Sequence, residues 1–356
     1  MKRALIAMSG GVDSSVAAYI MRERGYDCIG ATMRLFEFGN DCVARDTVCC
    51  SLNDVHDARN VCNLIGIPYH VYNFQADFRK EVIDRFIRTY ENGGTPNPCI
   101  DCNRYLKFES LYDKGRELGC EYIAAGHYAR IEQNEDGRWS LKKAVDLSKD
   151  QSYVLYSLTQ QQLAHTVFPL GSMKKTQTRR VAEEQGFVNA RKHDSQDICF
   201  VPDGDYAAAI RRFTGKAYPH GDFVDQEGNV LGEHQGIIRY TIGQRKGLGL
   251  ALKKPMYVLR KDVEHNQVVL ADNSDLFSRE LNGTDFNWIA WDRPPAEFRC
   301  SARIRYNQKE QPATVTVTGD PGSIRLCFDE PQRAITPGQA VVLYDGDSVL
   351  GGGTIQ

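Results

Sequence analysis

The segment Ser9-Gly10-Gly11-Val12-Asp13-Ser14-Ser15 follows an apolar run at residues 4–8 and precedes a helical pattern at residues 16–24. This order predicts a strand, a tight glycine turn and a helix. Two adjacent glycines let the backbone turn sharply and leave its N–H groups uncovered, and the helix start adds unpaired donors and a positive dipole end. We therefore expect the turn to bind an anion such as phosphate.

The side chains of the turn indicate which anion it binds. The hydroxyls of Ser9, Ser14 and Ser15 can donate to phosphate oxygens, whereas Asp13 is unfavourable beside a phosphate unless it holds Mg²⁺. The NTPase pattern G-x-x-x-x-G-K-[ST] is absent from the sequence, and no lysine lies in the turn. SGGVDSS instead resembles the PP-loop of ATP pyrophosphatases, which split ATP into AMP and pyrophosphate while adenylating a substrate oxygen. The competing interpretation is a turn that only caps a helix.

Length and composition limit the classes of protein to which this chain can belong. A chain of 356 residues that is 42% hydrophobic can bury a large core in two or three domains. The net charge of −2 predicts no general attraction to nucleic acid, although basic pairs such as Arg179-Arg180 could follow a phosphate backbone if they share a face. Eleven cysteines without a predicted export signal or membrane span favour a reducing cytoplasm and no membrane partner.

Strand and helix patterns alternate in the first part of the chain, with strands at 28–33, 69–72 and 122–125 and helices at 52–65, 74–90 and 106–118. This predicts an α/β fold with a doubly wound parallel sheet and a ligand at the carboxyl ends of its strands. Residues 128–146 predict a hairpin. From Tyr218 onward, short strands separated by turn residues, including one at 237–240, predict small β-barrels. We expect a PP-loop catalytic domain with a helical part at 1–200, a central β-rich domain at 201–282 and a C-terminal β-barrel at 283–356.

The cysteines suggest a second chemistry. Cys99 and Cys102 form a Cys-x-x-Cys pattern after a Pro-Asn-Pro turn and before a helix, where the helix dipole lowers thiol pKa and favours the thiolate. The pattern suits metal ligation, disulfide exchange or persulfide chemistry, and the alternative is two small buried residues at a helix start. Cys199 lies in a polar stretch at 193–200.

A further group of cysteines lies in a poorly periodic insertion at residues 32–51. Cys42, Cys49 and Cys50 occur there, with His56 and Cys62 further on. A zinc site is one interpretation of this group. The spacing is not a common metal pattern, and burial on a helix explains Cys62 equally well.

Seven ordered blocks together resemble the bacterial tRNA-specific 2-thiouridylases, the MnmA family, over nearly the whole chain. The blocks are SGGVDSSV at 9–16, GGTPNPCIDCNRYLKF at 93–108, AAGHYAR at 124–130, KDQSYVL at 149–155, HDSQDICFV at 193–201, HQGIIRYTIGQRKGLGL at 234–250 and TPGQAVVLYDGDSVLGGGTI at 336–355. This family uses ATP to replace the C2 oxygen of the anticodon wobble uridine with sulfur, in tRNAs such as those for Lys, Glu and Gln.

The resemblance implies roles for individual residues. Cys102 corresponds to the family's nucleophile, and Cys199 to the carrier of a persulfide received from a sulfur relay. The nucleotide, ATP with Mg²⁺, is expected at Ala7, Met8, Ser9, Gly10, Gly11, Val12, Asp13, Ser14, Met33 and Gly126. The tRNA, with its target base out of the stack, is expected at Asn97, Pro98, Cys99, His127, Lys149, Asp150, Gln151, Arg305, Tyr306 and Gln339.

One position departs from the family pattern, because many members have Asp where this chain has Cys99. Three thiolates, Cys99, Cys102 and Cys199, could hold an iron–sulfur cluster with one iron open to an extra sulfide. The other account keeps Cys102 and Cys199 as a persulfide pair and leaves Cys99 as a local variant. Both remain open, and the sulfur would come from a persulfide relay protein, a cysteine desulfurase or inorganic sulfide.

Two other functions compete with a tRNA sulfurtransferase. Another PP-loop enzyme, such as an amide-forming ligase, would use the glycine turn but would have no use for Cys99, Cys102 and Cys199. A non-catalytic RNA-binding protein with a structural metal site would leave residues 9–15 without a purpose.

Overall fold

The computed structural model describes residues 1–36, 52–194, 198–319 and 322–356. Its first elements are strand β1 (Arg3–Ala7) and helix α1 (Val12–Glu23), joined by the glycine turn as predicted. Gly10 has φ 76°, and a β-carbon there would lie 2.4 Å from the backbone oxygen of Asp54. Only glycine fits this position, because other side chains are strained at positive φ and would collide with that backbone.

The remaining strands in chain order are β2 (Asp27–Arg34), β3 (Tyr69–Asn73), β4 (Tyr122–Ala125), β5 (Ala129–Gln133), β6 (Trp139–Lys143), β7 (Thr166–Val167), β8 (Gly221–Val224), β9 (Val230–His234), β10 (Tyr257–Asp262), β11 (Gln267–Ala271), β12 (Phe277–Trp288), β13 (Glu297–Arg303), β14 (Gln311–Val317), β15 (Ile324–Arg333), β16 (Ala340–Asp345) and β17 (Ser348–Ile355).

The remaining helices are α2 (Leu52–Leu64), α3 (Gln75–Phe78), α4 (Asp84–Glu91), α5 (Pro98–Asp101), α6 (Leu111–Glu117), α7 (Gln160–Ala164), α8 (Lys175–Glu184) and α9 (Tyr206–Thr214). Two π-helical stretches, Arg79–Ile83 and Cys102–Ser110, join α3 to α4 and α5 to α6. Within the described ranges, no helix combines the length and apolar character needed to cross a membrane.

The N-terminal sheet is parallel with strand order β3-β2-β1-β4-β7, which confirms the predicted doubly wound α/β class. Alternate residues of β1 face opposite layers: Ala4 and Ile6 pack with α1, whereas Leu5 packs in the core on the other face. The chain runs outward from β1 through β2 to β3 and then returns to β4 on the other side. This reversal opens a crevice beyond the carboxyl ends of β1 and β4, where such folds bind ligands.

The second half of the chain is mainly β, as predicted. One four-stranded sheet has the order β10-β11-β8-β9, and the six strands β12 to β17 close into a barrel through the pairing of β12 with β17. The predicted hairpin is β5 and β6, and it extends this barrel because Lys142 pairs with Ser348. The strand predicted at 237–240 is wrong: Ile237–Arg239 is a 3-10 turn after Gly236, and it buries two consecutive side chains, unlike a strand with one solvated face.

The barrel contacts the turn that carries the Cys-x-x-Cys pattern. Gln339 donates from its side chain to the carbonyl of Thr95 at 2.7 Å, and the Thr95 amide donates to the carbonyl of Pro337 at 2.8 Å. Arg104 also forms an ion pair with Asp285 on β12. These contacts hold residues 95–104 between the parallel sheet and the barrel.

Lys261 on β10 is half-buried and touches the neighbouring turn. Its ammonium donates to the carbonyl of Gly94 at 3.4 Å and lies 5.5 Å from the centre of the Tyr90 ring. Burial lowers the pKa of Lys261 to about 8 from 10.5. The unfolded chain therefore binds more protons than the folded protein between these values, and Lys261 costs stability that is recovered as pH rises through this window.

We expect Lys261→Met to stabilise the protein at pH 7 by about 1–3 kcal/mol, because methionine keeps an apolar chain without the buried charge. The advantage should shrink between pH 7 and pH 9.5, where the wild-type amine loses its proton. Thermal unfolding of both proteins at the two pH values measures this. Equal shifts at both pH values would show that the pKa of Lys261 is not lowered by folding, and a less stable variant at pH 7 would show that the charge is stabilising.

Candidate active site

The glycine turn and the first turn of α1 form a cradle of backbone N–H groups. Gly11 precedes the helix and has no side chain to cap it, so the first helical N–H groups face the crevice. The hydroxyls of Ser14 and Ser15 both donate to the Gly11 carbonyl at 3.0 Å, and the Ser9 amide donates to the Ser14 oxygen. The buried serines thus shape the turn, and Ser9 is exposed at its edge. These residues fit the phosphates of ATP.

Gly126, which directly follows β4, contacts this cradle. A β-carbon at Gly126 would lie 2.6 Å from the Ser14 amide nitrogen and from the Asp13 carbonyl carbon, so only glycine permits the contact. Met33 lies near the end of the adjacent strand β2, and Thr32 donates to the Met8 carbonyl at 2.8 Å. The residues expected to bind the nucleotide therefore gather at one edge of the sheet.

The carboxylate of Asp13 has a cationic partner that the sequence did not reveal. Both of its oxygens lie 2.7 Å from the ammonium of Lys175, which begins α8, and Tyr128 donates its hydroxyl to the same carboxylate at 2.9 Å. Burial, and next the charge of Asp13, raise the pKa of Tyr128, so it stays a donor. Lys175 is only 8% exposed. The glycine turn contains no lysine, and Lys175, which is far from it in the sequence, provides the positive charge beside it.

A second carboxylate shares this lysine. Asp194 lies 2.7 Å from the ammonium of Lys175, 2.8 Å from that of Lys149 and 3.0 Å from the guanidinium of Arg179. Although burial opposes ionisation, the charges of Lys149 and Lys175 hold the pKa of Asp194 below its ordinary value. Asn189 adds a direct contact with the cradle, because its amide donates to the Gly10 carbonyl and to Ser15 at 2.9 Å. Residues 189–194 are thus fixed to the glycine turn.

The Cys-x-x-Cys pattern begins a helix, as predicted. The side chain of Asn97 accepts from the Cys99 amide at 3.2 Å, and Pro98 occupies the first helical position. Cys99 is exposed, whereas Cys102 is half-buried against the main core. Between them, burial raises the pKa of Asp101 to about 7. The pattern therefore has one exposed thiol, Cys99, and one half-buried thiol, Cys102.

The iron–sulfur hypothesis needs three ligands in one place. Within the four described ranges no three His, Cys, Asp or Glu side chains gather in a metal-binding arrangement, and this includes Cys99, Cys102 and the half-buried Cys199. The described residues therefore do not bring these thiols together as a cluster site, we derive no step through a cluster, and the iron–sulfur hypothesis stays a prediction.

The zinc interpretation concerned Cys42, Cys49 and Cys50, which lie outside the described residues. Of its other members, His56 is exposed on α2, and Cys62 is fully buried with its pKa raised to about 12 by that burial. Cys62 therefore behaves as a core residue.

The residues expected to contact tRNA lie on several elements of the chain, including the barrel. Gln151 accepts from the Tyr128 amide at 2.9 Å, and Asp150 is buried, accepting from Ser152 and pairing with Arg303 at 3.1 Å. Tyr306 donates to the Asp150 carbonyl at 3.3 Å. Arg305 donates to the Ala334 carbonyl at 2.5 Å on the barrel side. The Asp150 carboxylate thus has a structural ion pair, and its contact with tRNA stays a prediction.

A cradle of backbone N–H groups at the switch point of a parallel sheet is typical of nucleotide-binding α/β domains, and comparison with known proteins gives the family. Residues 2–203 match the family described as "tRNA methyl transferase HUP domain", residues 209–272 the "tRNA methyl transferase PRC-barrel domain" and residues 278–355 the "Aminomethyltransferase beta-barrel domain".

Relatives match over the full length. The chain is 51% identical over 356 residues to the tRNA-specific 2-thiouridylase MnmA of Clostridioides difficile (strain 630), covering 100% of this chain and 98% of that protein. It is also 51% identical over 357 residues to the tRNA-specific 2-thiouridylase MnmA of Acetivibrio thermocellus, covering 100% and 99%. The chain belongs to the tRNA-specific 2-thiouridylase family.

A solved structure of a 4-thiouridine synthetase with RNA and ATP is more distant. It is 18% identical with a TM-score of 0.37, over 60% of this chain and 50% of that one.

Proposed function

We propose that this protein uses ATP to convert the wobble uridine of tRNAs for Lys, Glu and Gln to 2-thiouridine. The proposal rests on two neighbouring parts of the structure. The cradle at residues 9–15 lies close to the thiol helix, which we define as residues 98–110 with Cys99 and Cys102 in its first turns. Lys107, on the stretch that begins at Cys102, lies 3.3 Å from His127, and the neighbouring Gly126 touches the cradle. This adjacency supports nucleotide activation and thiol chemistry at one crevice.

The chemistry follows from the weakness of the uridine C2 carbonyl as an electrophile. Its oxygen attacks the α-phosphorus of ATP, and pyrophosphate departs into the cradle at residues 9–15, where N–H groups and Lys175 offset its charge. Mg²⁺, when bound, would add positive charge at the phosphates, and Asp13, whose carboxylate contacts Lys175 in this structure, would be the residue that holds it. The C2 carbon then carries AMP, which is a good leaving group.

Sulfur enters in the second half of the reaction. The terminal sulfur of a persulfide on Cys199 forms a bond to C2 while the C2–O bond to AMP breaks. The Cys102 thiolate then attacks the Cys199 sulfur, so sulfur stays on the uridine and a Cys102–Cys199 disulfide remains, which an external dithiol must reduce. The persulfide itself comes from a cytoplasmic sulfur-donor protein. Direct use of inorganic sulfide on a cluster at Cys99, Cys102 and Cys199 is the competing route.

The full-length protein, an unmodified tRNA transcript and ATP test this proposal. We expect AMP and pyrophosphate to form only when tRNA is present, and a mercury-retarded tRNA to appear once a persulfide donor and a dithiol are added. AMP formation without tRNA would point to another PP-loop ligase, and tRNA binding without AMP would exclude an enzyme.

The same preparation, purified without oxygen, separates the two sulfur routes. Iron and acid-labile sulfide that disappear together with activity in Cys99→Ser would establish the cluster route. Absence of iron, with activity that depends on a persulfide donor, would establish the Cys102–Cys199 route.

A further inference from the structure

His127 occupies an unusual position at the end of β4. It is only 9% exposed, and its ring lies 5.7 Å from that of Phe108 and 5.5 Å from that of Phe168, measured between centres. Its Nε2 atom lies 3.3 Å from the ammonium of Lys107. Its Nδ1 atom is buried and has no hydrogen-bond partner among the residues that the structure describes.

The neighbours of His127 decide which ring nitrogen carries the proton. An ammonium group can only donate, so Nε2 must accept from Lys107, and a neutral ring then carries its hydrogen on Nδ1. The same ammonium donates to the Asn103 side-chain oxygen at 3.0 Å, and the Asn103 amide donates to the Val154 carbonyl at 3.0 Å. This second bond fixes the orientation of Asn103 and, through it, the position of Lys107.

The ring is also held neutral. Burial and, after it, the charge of Lys107 lower the pKa of His127 well below its ordinary value. A neutral ring with a hydrogen on Nδ1 is a buried donor without an acceptor, an arrangement that destabilises a folded protein unless a ligand supplies the acceptor.

The position of this donor indicates the ligand. His127 follows Gly126, which contacts the Asp13–Ser14 backbone, and it faces the helix that begins with Cys102 through Lys107. His127 thus lies between the phosphate cradle and the helix that begins with Cys102, and a ligand acceptor reaches its buried Nδ1 atom once bound substrate shifts the packing around the ring. In the reaction proposed above, the atom that joins the nucleotide to the base is the oxygen between the AMP phosphorus and C2.

We propose that Lys107 and Asn103 fix His127 as the Nδ1–H tautomer, and that this N–H donates a hydrogen bond to the oxygen that leaves C2 with AMP. This inference rests on the proposed function. As sulfur bonds to C2, the C2–O bond breaks and its electron pair moves to that oxygen, whose growing negative charge strengthens the hydrogen bond. The ring keeps its proton throughout. His127 is a catalytic residue here, and Lys107 is a positioning residue.

Two substitutions that replace the His127 ring with an amide distinguish the role of Nδ1 from that of Nε2. The asparagine amide can take the place of Nδ1, whereas the glutamine amide reaches that of Nε2. We expect His127→Gln to lower the single-turnover rate of tRNA thiolation about 100-fold, the loss typical of one removed donor, with the KM for ATP and tRNA within about threefold. His127→Asn should stay within about tenfold of wild type. Equal losses in the two variants would overturn the proposal.

Lys107→Met tests the positioning role with a spectroscopic measurement. In protein containing ¹⁵N-labelled histidine, long-range ¹H–¹⁵N correlations distinguish the two neutral tautomers, and the His127→Asn spectrum assigns the signal among the eight histidines. We expect the Nδ1–H form in wild type and a loss of that preference in Lys107→Met, together with a slower thiolation rate. An Nε2–H or charged ring in wild type would overturn the inference even if no thiolation were detected, so its failure is distinguishable from failure of the proposed function.

Discussion

Serine in place of Cys102 should abolish 2-thiouridine formation while leaving tRNA affinity within about twofold of wild type. The substitution exchanges one atom, so it removes little contact surface. It replaces a thiol, whose thiolate form is the nucleophile, with a hydroxyl, which is a much weaker nucleophile. Adenylation precedes the attack of Cys102, so tRNA-dependent pyrophosphate release should persist for at least one turnover. Mercury-gel retardation, pyrophosphate release and filter binding measure the three quantities.

Cys327→Ser provides the matched control for this change. Cys327 is an exposed cysteine on β15 of the barrel, and its replacement should leave all three measurements unchanged. Substantial thiolation by Cys102→Ser would contradict the assigned role. A large loss of tRNA affinity would instead make Cys102 a binding residue.

The parts of the site that the sequence predicted are those encoded locally. A strand, two glycines and a helix within residues 3–23 are enough to specify the cradle, because the positive φ of Gly10 and the uncapped helix start are properties of the segment itself. The alternation of strands and helices likewise predicted the parallel sheet, and the edge at which Gly126 would lie followed from that sheet.

The parts that the sequence did not predict depend on the tertiary fold. Lys175 follows Lys174 in the sequence, and nothing near it in the chain indicates that it pairs with Asp13, which lies 162 residues earlier. The attachment of the β5–β6 hairpin to a barrel built from the other end of the chain is equally non-local. The turn at 237–239 was mistaken for a strand because buried β-branched residues suit both.

Lys175→Met should lower kcat/KM for ATP in tRNA-dependent pyrophosphate release by about 100-fold. The change removes the cation that lies against the phosphate cradle, and it leaves the carboxylates of Asp13 and Asp194 without the ammonium they share. Anionic side chains beside an incoming triphosphate repel it, and the pyrophosphate leaving group loses a charge that offsets its own. Breaking a buried ion pair from one side also costs about 3–5 kcal/mol, so the thermal midpoint should fall.

Lys174→Met is the control that separates these effects from a general loss of positive charge. Lys174 is adjacent, of the same type and exposed, and its side chain should contribute little to either measurement. Lys175→Arg should recover stability more fully than catalysis, because a guanidinium keeps the charge but is wider than the ammonium that fits between two carboxylates. If Lys175→Met lowered the thermal midpoint while kcat/KM for ATP stayed at the wild-type value, Lys175 would be a structural ion-pair partner only, and the charge at the cradle would have to come from another group.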